Sequence, residues 1–124
     1  MVIVYAVKGF DGANLPLDNP LQVPAHRYSG RVLASGKEAV RTTPKFERGR
    51  LLGDVVFVSG TAAIKGEDSE FSEDTRVQAL GAIDVVEHLV APSNISPDCS
   101  AFRFGYLRVY VRRPQDLEPV REMF

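Results

Sequence analysis

Arginine alternating with tyrosine is the first arrangement in this 124-residue chain that could hold a ligand. In FRFGYLRVYVRR, residues 102–113, an extended backbone puts Phe104, Tyr106, Arg108, Tyr110 and Arg112 on one face. Leu107, Val109 and Val111 fall on the other. Planar guanidinium groups beside phenols suit a partly apolar small molecule that carries a carboxylate. The plainer account is that charged residues guard the edge of a sheet against unwanted pairing, and the residues allow both. Ser59-Gly60-Thr61-Ala62 is the second candidate. Glycine permits close backbone approach, threonine offers a hydroxyl, and alanine leaves room for a ligand, although a strand ending in Ser-Gly-Thr is also an ordinary turn or bulge.

Other chemistries find little support. The sequence has no Gly-rich phosphate loop, no HExxH, no GxSxG and no metal-spaced cluster, so no metal is expected. His26 and His88 lie far apart, and each reads more simply as a solvated side chain. Glu67, Asp68, Glu70, Glu73 and Asp74 read as a solvated acidic loop rather than an acid/base pair. A formal net charge of −1 gives no electrostatic basis for nucleic-acid binding. The single cysteine, Cys99, excludes an internal disulfide and favours a reducing, cytoplasmic setting. No apolar run reaches the length of a membrane span, so no membrane partner is expected.

The elements that must position these residues follow from patterning. VIVYAV, residues 2–7, predicts a buried strand. From Phe10 to about Glu47, Pro16, Pro20, Pro24 and Pro44 break the pattern into an extended, loop-like passage. Arg48–Leu52 and Val55–Ser59 flank Gly53-Asp54 and predict a hairpin, which Ala62–Lys65 could extend. A helix is expected from Thr75 to about Val90, capped by Ser72 or Asp74, with a stripe of Val77, Leu80, Ile83, Val86 or Glu87, and Val90, widened by Ala79, Ala82 and Leu89. APSNISPDCS reads as a loop, 102–113 as a strand, and Gln115-Asp116 as the start of a helix that runs to the end. The mixture is α+β, with helices on one face of a sheet that is at least partly antiparallel. The chain divides into 1–47, a strand and linker-like segment, and 48–124, a folded domain.

Two long stretches carry a family resemblance. VVFVSGTAAIKGEDSEFSEDTRVQAL (55–80) and YLRVYVRRPQDLEPVRE (106–122) resemble the Rid/YjgF superfamily, the group labelled endoribonuclease L-PSP. The SGTA-x-I-x-G strand end, the Asp74–Gln78 helix start and the VYVR-x-P-x-DL-x-x-VR run at 109–121 look like its chorismatase branch, also labelled pteridine-dependent deoxygenase-like. NPLQVPAHRY (19–28) and PKFERG (44–49) resemble that branch too.

The resemblance implies a chorismate-mutase-like, Rid-type mixed sheet and a cytoplasmic homo-oligomer, by superfamily habit a trimer. It implies a hydrolase that splits the enol-pyruvyl ether of chorismate without a cofactor. Pyruvate would leave with a cyclohexadiene or hydroxybenzoate acid. Arg48, Gly60, Thr61, Ala62, Arg112 and Arg121 occupy the matching positions and would line or support a site for a small carboxylate such as chorismate. The family's catalytic glutamate, on a final strand reading like CR-x-x-LLVEIE, has no counterpart, so the catalytic residue stays unknown. On this view 48–124 lacks its usual final strand, and Val2–Val7 would fill the vacant place. The resemblance leaves room for a non-catalytic ligand-binding or oligomerisation module, or an imine deaminase-like protein.

Overall fold

The computed structural model describes residues 6–30, 43–70, 73–96, 98, 100 and 102–124. The fold is α+β. Three antiparallel strands form the main sheet in the order β1 (Asn14–Leu17), β2 (Gly49–Leu52) and β3 (Val55–Val58). The expected hairpin is β2–β3, with Leu52 opposite Val55 and Gly53 at φ 57° in the turn, a value glycine adopts without a Cβ penalty. A second, smaller hairpin pairs β4 (Ile64–Lys65) with β5 (Asp68–Ser69). The β3 strand therefore does not run on through Ala62.

β1 lies inside the passage expected to be loop. It pairs with β2 from Asn14↔Leu52 to Leu17↔Gly49. Four residues with a proline among them give almost no periodic signal, yet Pro16 is tolerated because β1 is an edge strand of this sheet. Leu17 then reaches the core beside Leu51 and Leu89, with Val56, Ile95 and Phe102 packed around them. The chain beyond β1 stays attached. Asn19 is buried and donates through Nδ2 to the Val85 carbonyl at 2.7 Å, while its Oδ1 accepts from the Leu21 amide. Gln22 donates to the Ile64 carbonyl and forms a parallel bridge with Gly66, whose carbonyl accepts from the Val23 amide and whose amide donates to the Leu21 carbonyl. Residues 25–27 form a 3-10 turn that buries Ala25.

Helix α1 (Thr75–Leu89) forms where expected. Asp74 caps it, its carboxylate accepting from the Arg76 amide at 2.8 Å, whereas Ser72 falls outside the described residues. The buried stripe matches the expected one in part: Leu89 belongs to it and Ile83, Val86 and Val90 are half-buried, but Val85 was not expected there. Val85 and Leu89 are buried, whereas Val77 and Leu80 stand 53% and 58% exposed. The helix is apolar around much of its girth, so periodicity alone does not choose a face. Gly81 chooses it: a Cβ there would lie 2.9 Å from the Ala63 Cβ, so the bare 81 position lets α1 sit down on the chain before β4.

A short α2 (Pro92–Ile95) occupies part of the stretch read as loop. At the C-terminal side, a 3-10 turn over Pro114–Asp116 leads into α3 (Leu117–Arg121). α3 ends at Arg121 rather than running on, and the Met123 amide closes back on the Val120 carbonyl at 3.1 Å. Asp116 ties this end to α1, accepting from Thr75 Oγ1 at 2.8 Å and from Arg113 Nε and Nη2 at 2.8 and 2.9 Å.

Two expected strands join no ladder among the described residues. The strand at Val2–Val7 falls mostly on residues outside the described set, and Ala6 and Val7 belong to no strand. Residues 102–111 have strand-like alternation but join no ladder among the described residues. Alternation sets which way side chains point; a strand also needs a neighbour to bond with, and none is seated there. Tyr106 and Tyr110 are each 73% exposed in consequence.

Candidate functional site

Arg48 immediately precedes β2 and is only 6% exposed. Its position follows from the hairpin: its carbonyl accepts from the Ser59 amide at 3.0 Å, one step beyond the last β2–β3 pair. The side chain passes between segments that the fold brings together. Nη2 donates to the Val23 carbonyl at 2.9 Å and to the Tyr28 hydroxyl. The guanidinium carbon lies 5.4 Å from the Tyr28 ring centre and 5.1 Å from that of Phe46, within cation–π range of both. Nε is buried and has no hydrogen-bond acceptor among the described residues. No carboxylate pairs with this guanidinium among the described residues. Buried arginines are normally paired with an acid, because an uncompensated cation out of water costs several kcal/mol.

The strand end expected to wall a site lies at the same end of the hairpin. Ser59 donates its hydroxyl to the Glu47 carbonyl, and Thr61 Oγ1 donates to the Ser59 carbonyl at 2.8 Å. The Thr61 hydroxyl proton is thus used to shape the turn. Gly60 is exposed, and nothing lies within 4 Å of where its Cβ would be. Ala62 is also exposed. Arg48 and residues 60–62 therefore share one neighbourhood.

Arg112 and Arg121 do not join it. Arg112 is exposed and makes no hydrogen bond or ion pair among the described residues. Arg121 projects from α3, pairs with Glu118 at 3.5 Å, and rims a hollow of about 420 Å³ lined by Val109, Val111, Leu117, Val120 and Phe124. Among the described residues no hydrogen bond or ion pair links either arginine to Arg48. Arg108, by contrast, is engaged: Nε and Nη2 donate to the Tyr106 hydroxyl at 3.0 and 2.8 Å. Hydrogen bonds with Tyr110 and Tyr106 push its pKa further up.

Several other titratable groups are occupied structurally. Lys65 pairs with Glu70 at 3.3 Å and Asp84 at 3.4 Å, which raises its pKa, Glu70 contributing most. Glu67 accepts from the Ser29 amide at 2.8 Å and from its hydroxyl. His88 contacts the Asp84 carbonyl through Nδ1 at 2.8 Å, and His26 is exposed in its 3-10 turn. Among the described residues no group of three or more His, Cys, Asp or Glu is placed to hold a metal ion. No helix of the described residues is long and apolar enough to cross a membrane. Cys99 lies outside the described residues.

Tyr28 and Phe46 were not singled out from sequence. Their signal was present, since Tyr28 ends NPLQVPAHRY and Phe46 stands two residues before Arg48 in PKFERG, the spacing that puts extended neighbours on one face.

Comparison with known proteins gives this site a context. A 3-hydroxybenzoate synthase of Streptomyces hygroscopicus is 30% identical over 135 aligned residues, covering 98% of this chain and 38% of the relative. A chorismatase of Streptomyces rapamycinicus is 27% identical over 133 residues, with the same two coverages. The crystal structure of a chorismatase superposes with a TM-score of 0.68 at 28% identity, over 90% of this chain and 34% of that one. The likeness is to chorismatases. It extends through both sequence and α+β fold, and the chain spans 38% of the length of the curated relatives. No protein-family profile matches the chain. The chorismatase-like stretch includes nearly every residue, so the Arg48 neighbourhood and the strand end at 59–62 belong to the shared fold rather than to an appended segment.

Proposed function

We propose that this chain is a chorismatase-type domain of Rid architecture, acting on the enol-pyruvyl ether of chorismate. The observation that carries the reading is Arg48, a buried guanidinium with no acid partner beside the open strand end at Gly60, within a fold shared with a chorismatase. Arg48 would take a substrate carboxylate as the anion the protein does not supply. Gly60, Thr61 and Ala62 would leave room for the ring. Arg112 and Arg121, both exposed, would support the substrate once chain segments or subunits close over it, which fits a homo-oligomer.

The chemistry needs a proton and water but no redox partner. Protonation of the enol-ether methylene carbon gives an oxocarbenium ion; water adds to it, and the hemiketal collapses to pyruvate and the ring alcohol. One water is consumed, and the ring leaves as a dihydroxycyclohexadiene acid. If the ring then loses a hydroxyl as water, it aromatises to a hydroxybenzoate and the net water balance returns to zero. Arginines that hold the carboxylates fix the ether against the proton source and offset the substrate's negative charge. No residue of this chain is assigned as that source.

The purified protein incubated with chorismate should release pyruvate, followed by coupled reduction to lactate. Arg112→Ala should lower the rate roughly ten- to a hundredfold, the worth of a charge-assisted hydrogen bond. Absence of pyruvate, with chorismate still bound in a calorimetric titration, would instead identify a binding module.

A further inference from the structure

We propose that Tyr28 is the positioning residue of a carboxylate socket built on Arg48, and that Phe46 forms its apolar wall. The inference deepens the reading above and rests on it only for which acid occupies the socket. Three observations converge. First, Arg48 is more than nine-tenths buried, and no negatively charged group of the described structure meets it. Glu67 is held by Ser29, the residue after Tyr28, and makes no ion pair with the arginine. Second, the guanidinium is fixed in plane by groups that stabilise a cation without cancelling its charge. These are the Val23 carbonyl, the Tyr28 hydroxyl oxygen, and the faces of Tyr28 and Phe46. Third, donor capacity is left over. Nη2 has two acceptors, whereas Nε has none and Nη1 makes no hydrogen bond in the described structure.

A buried polar group left without a partner needs an explanation, and a bound ligand supplies one here. The ligand that suits this one is a planar carboxylate attached to a ring. The carboxylate supplies the absent charge, and the ring can lie along Phe46. Tyr28 acts through Arg48. Its hydroxyl holds Nη2, which sets the plane in which the remaining N–H groups meet the acid.

The test uses protein labelled with [¹⁵N]arginine. The Arg48 Nε–H resonance is assigned by its loss in Arg48→Lys and followed while 3-hydroxybenzoate, its neutral methyl ester, or chorismate is added. The acids should shift the Arg48 signal and the ester should not. Tyr28→Phe keeps the ring and removes the hydroxyl; it should bind 3-hydroxybenzoate roughly tenfold more weakly, with its thermal midpoint nearly unchanged. Phe46→Leu should weaken the acid less and leave the response of the Arg48 signal intact. The proposal is overturned if Arg48 stays silent while the acids bind, if the ester shifts it equally, or if Tyr28→Phe binds like the parent. Its failure is separable from that of the proposed function. Pyruvate release with a silent Arg48 sinks only the socket, and an acid-specific Arg48 shift without pyruvate sinks only the chorismatase reading.

Discussion

Gly81→Ala isolates the contact that seats α1 against the chain leading out of the candidate strand end. On helix propensity alone the change should stabilise, because alanine is better than glycine inside a helix by about 1 kcal/mol. The structure opposes it. The new Cβ would stand 2.9 Å from Ala63 Cβ and 3.4 Å from Glu70 Oε2, and ordinary carbon contact begins near 3.4 Å. The helix must therefore retreat about 0.5 Å at this point, from 3.4 minus 2.9. Its neighbour here is not the far end of a flexible side chain; it is the Cβ of a buried residue whose carbonyl accepts from the Glu70 amide at 2.7 Å. Overpacking of that kind costs about 1–3 kcal/mol, so the net effect is a loss of up to about 2 kcal/mol. For a chain of this size each kcal/mol moves the midpoint by about 3–6 °C in calorimetry. Ala63→Gly in the same chain removes the opposing methyl and should recover the helical gain, giving a coupling of about 1 kcal/mol or more in a double-mutant cycle. A single Gly81→Ala variant about 1 kcal/mol more stable than the parent would refute the close approach and the face of α1 derived from it.

Further outcomes follow from the same geometry. Leu89→Ala removes a fully buried side chain packed on Leu17 and Leu51 and should cost about 3 kcal/mol in urea unfolding, whereas Leu80→Ala on the exposed side should change stability little. Asn19→Ala removes a buried second donor from the Val85 carbonyl and leaves the Leu21 amide without its side-chain acceptor, and should cost about 1–3 kcal/mol. Hydrogen bonds from Arg113 hold Asp116 below the usual carboxylate range, against desolvation and with help from Thr75. A lowered folded-state pKa means that its stabilising effect is complete above the unfolded value of roughly 4 and fades as pH falls through the folded one. Asp116→Asn should accordingly lower the midpoint at neutral pH and flatten its decline below about pH 4, as read from thermal scans across pH.

Much of the framework was legible from local chemistry. The β2–β3 hairpin was marked by two apolar runs around Gly53-Asp54, and α1 by its length and the Asp74 cap. In each, the decisive interactions lie within a few residues. β1 was not legible, because Asn-Leu-Pro-Leu carries no periodic signal and gains its structure by pairing with residues 32 or more positions away. Residues 102–111 gave the opposite error: a strong alternation with no adjacent strand to complete it among the described residues. The face of α1 was only partly legible, Val77 and Leu80 being exposed and Val85 buried, for a related reason: Gly81 acts through Ala63, which no helical wheel contains.

The same division runs through the site. Sequence by itself determined that the chain is α+β, that Ser-Gly-Thr-Ala ends a strand, and that arginines outnumber any other means of holding a carboxylate. It also supplied the likeness to chorismatases, spread over the motifs from 19 to 121. Tertiary structure decided which arginine is special. Arg108, Arg112, Arg121 and Arg48 look equivalent as letters, but only burial distinguishes them: Arg108 is held by a phenol, Arg112 is open to solvent, Arg121 sits beside Glu118, and Arg48 lies buried between two rings without an acid. A charge in water is cheap and anonymous. The same charge enclosed by Val23, Tyr28 and Phe46 lacks its counter-ion, and that deficit arises only when segments 20 or more residues apart fold together.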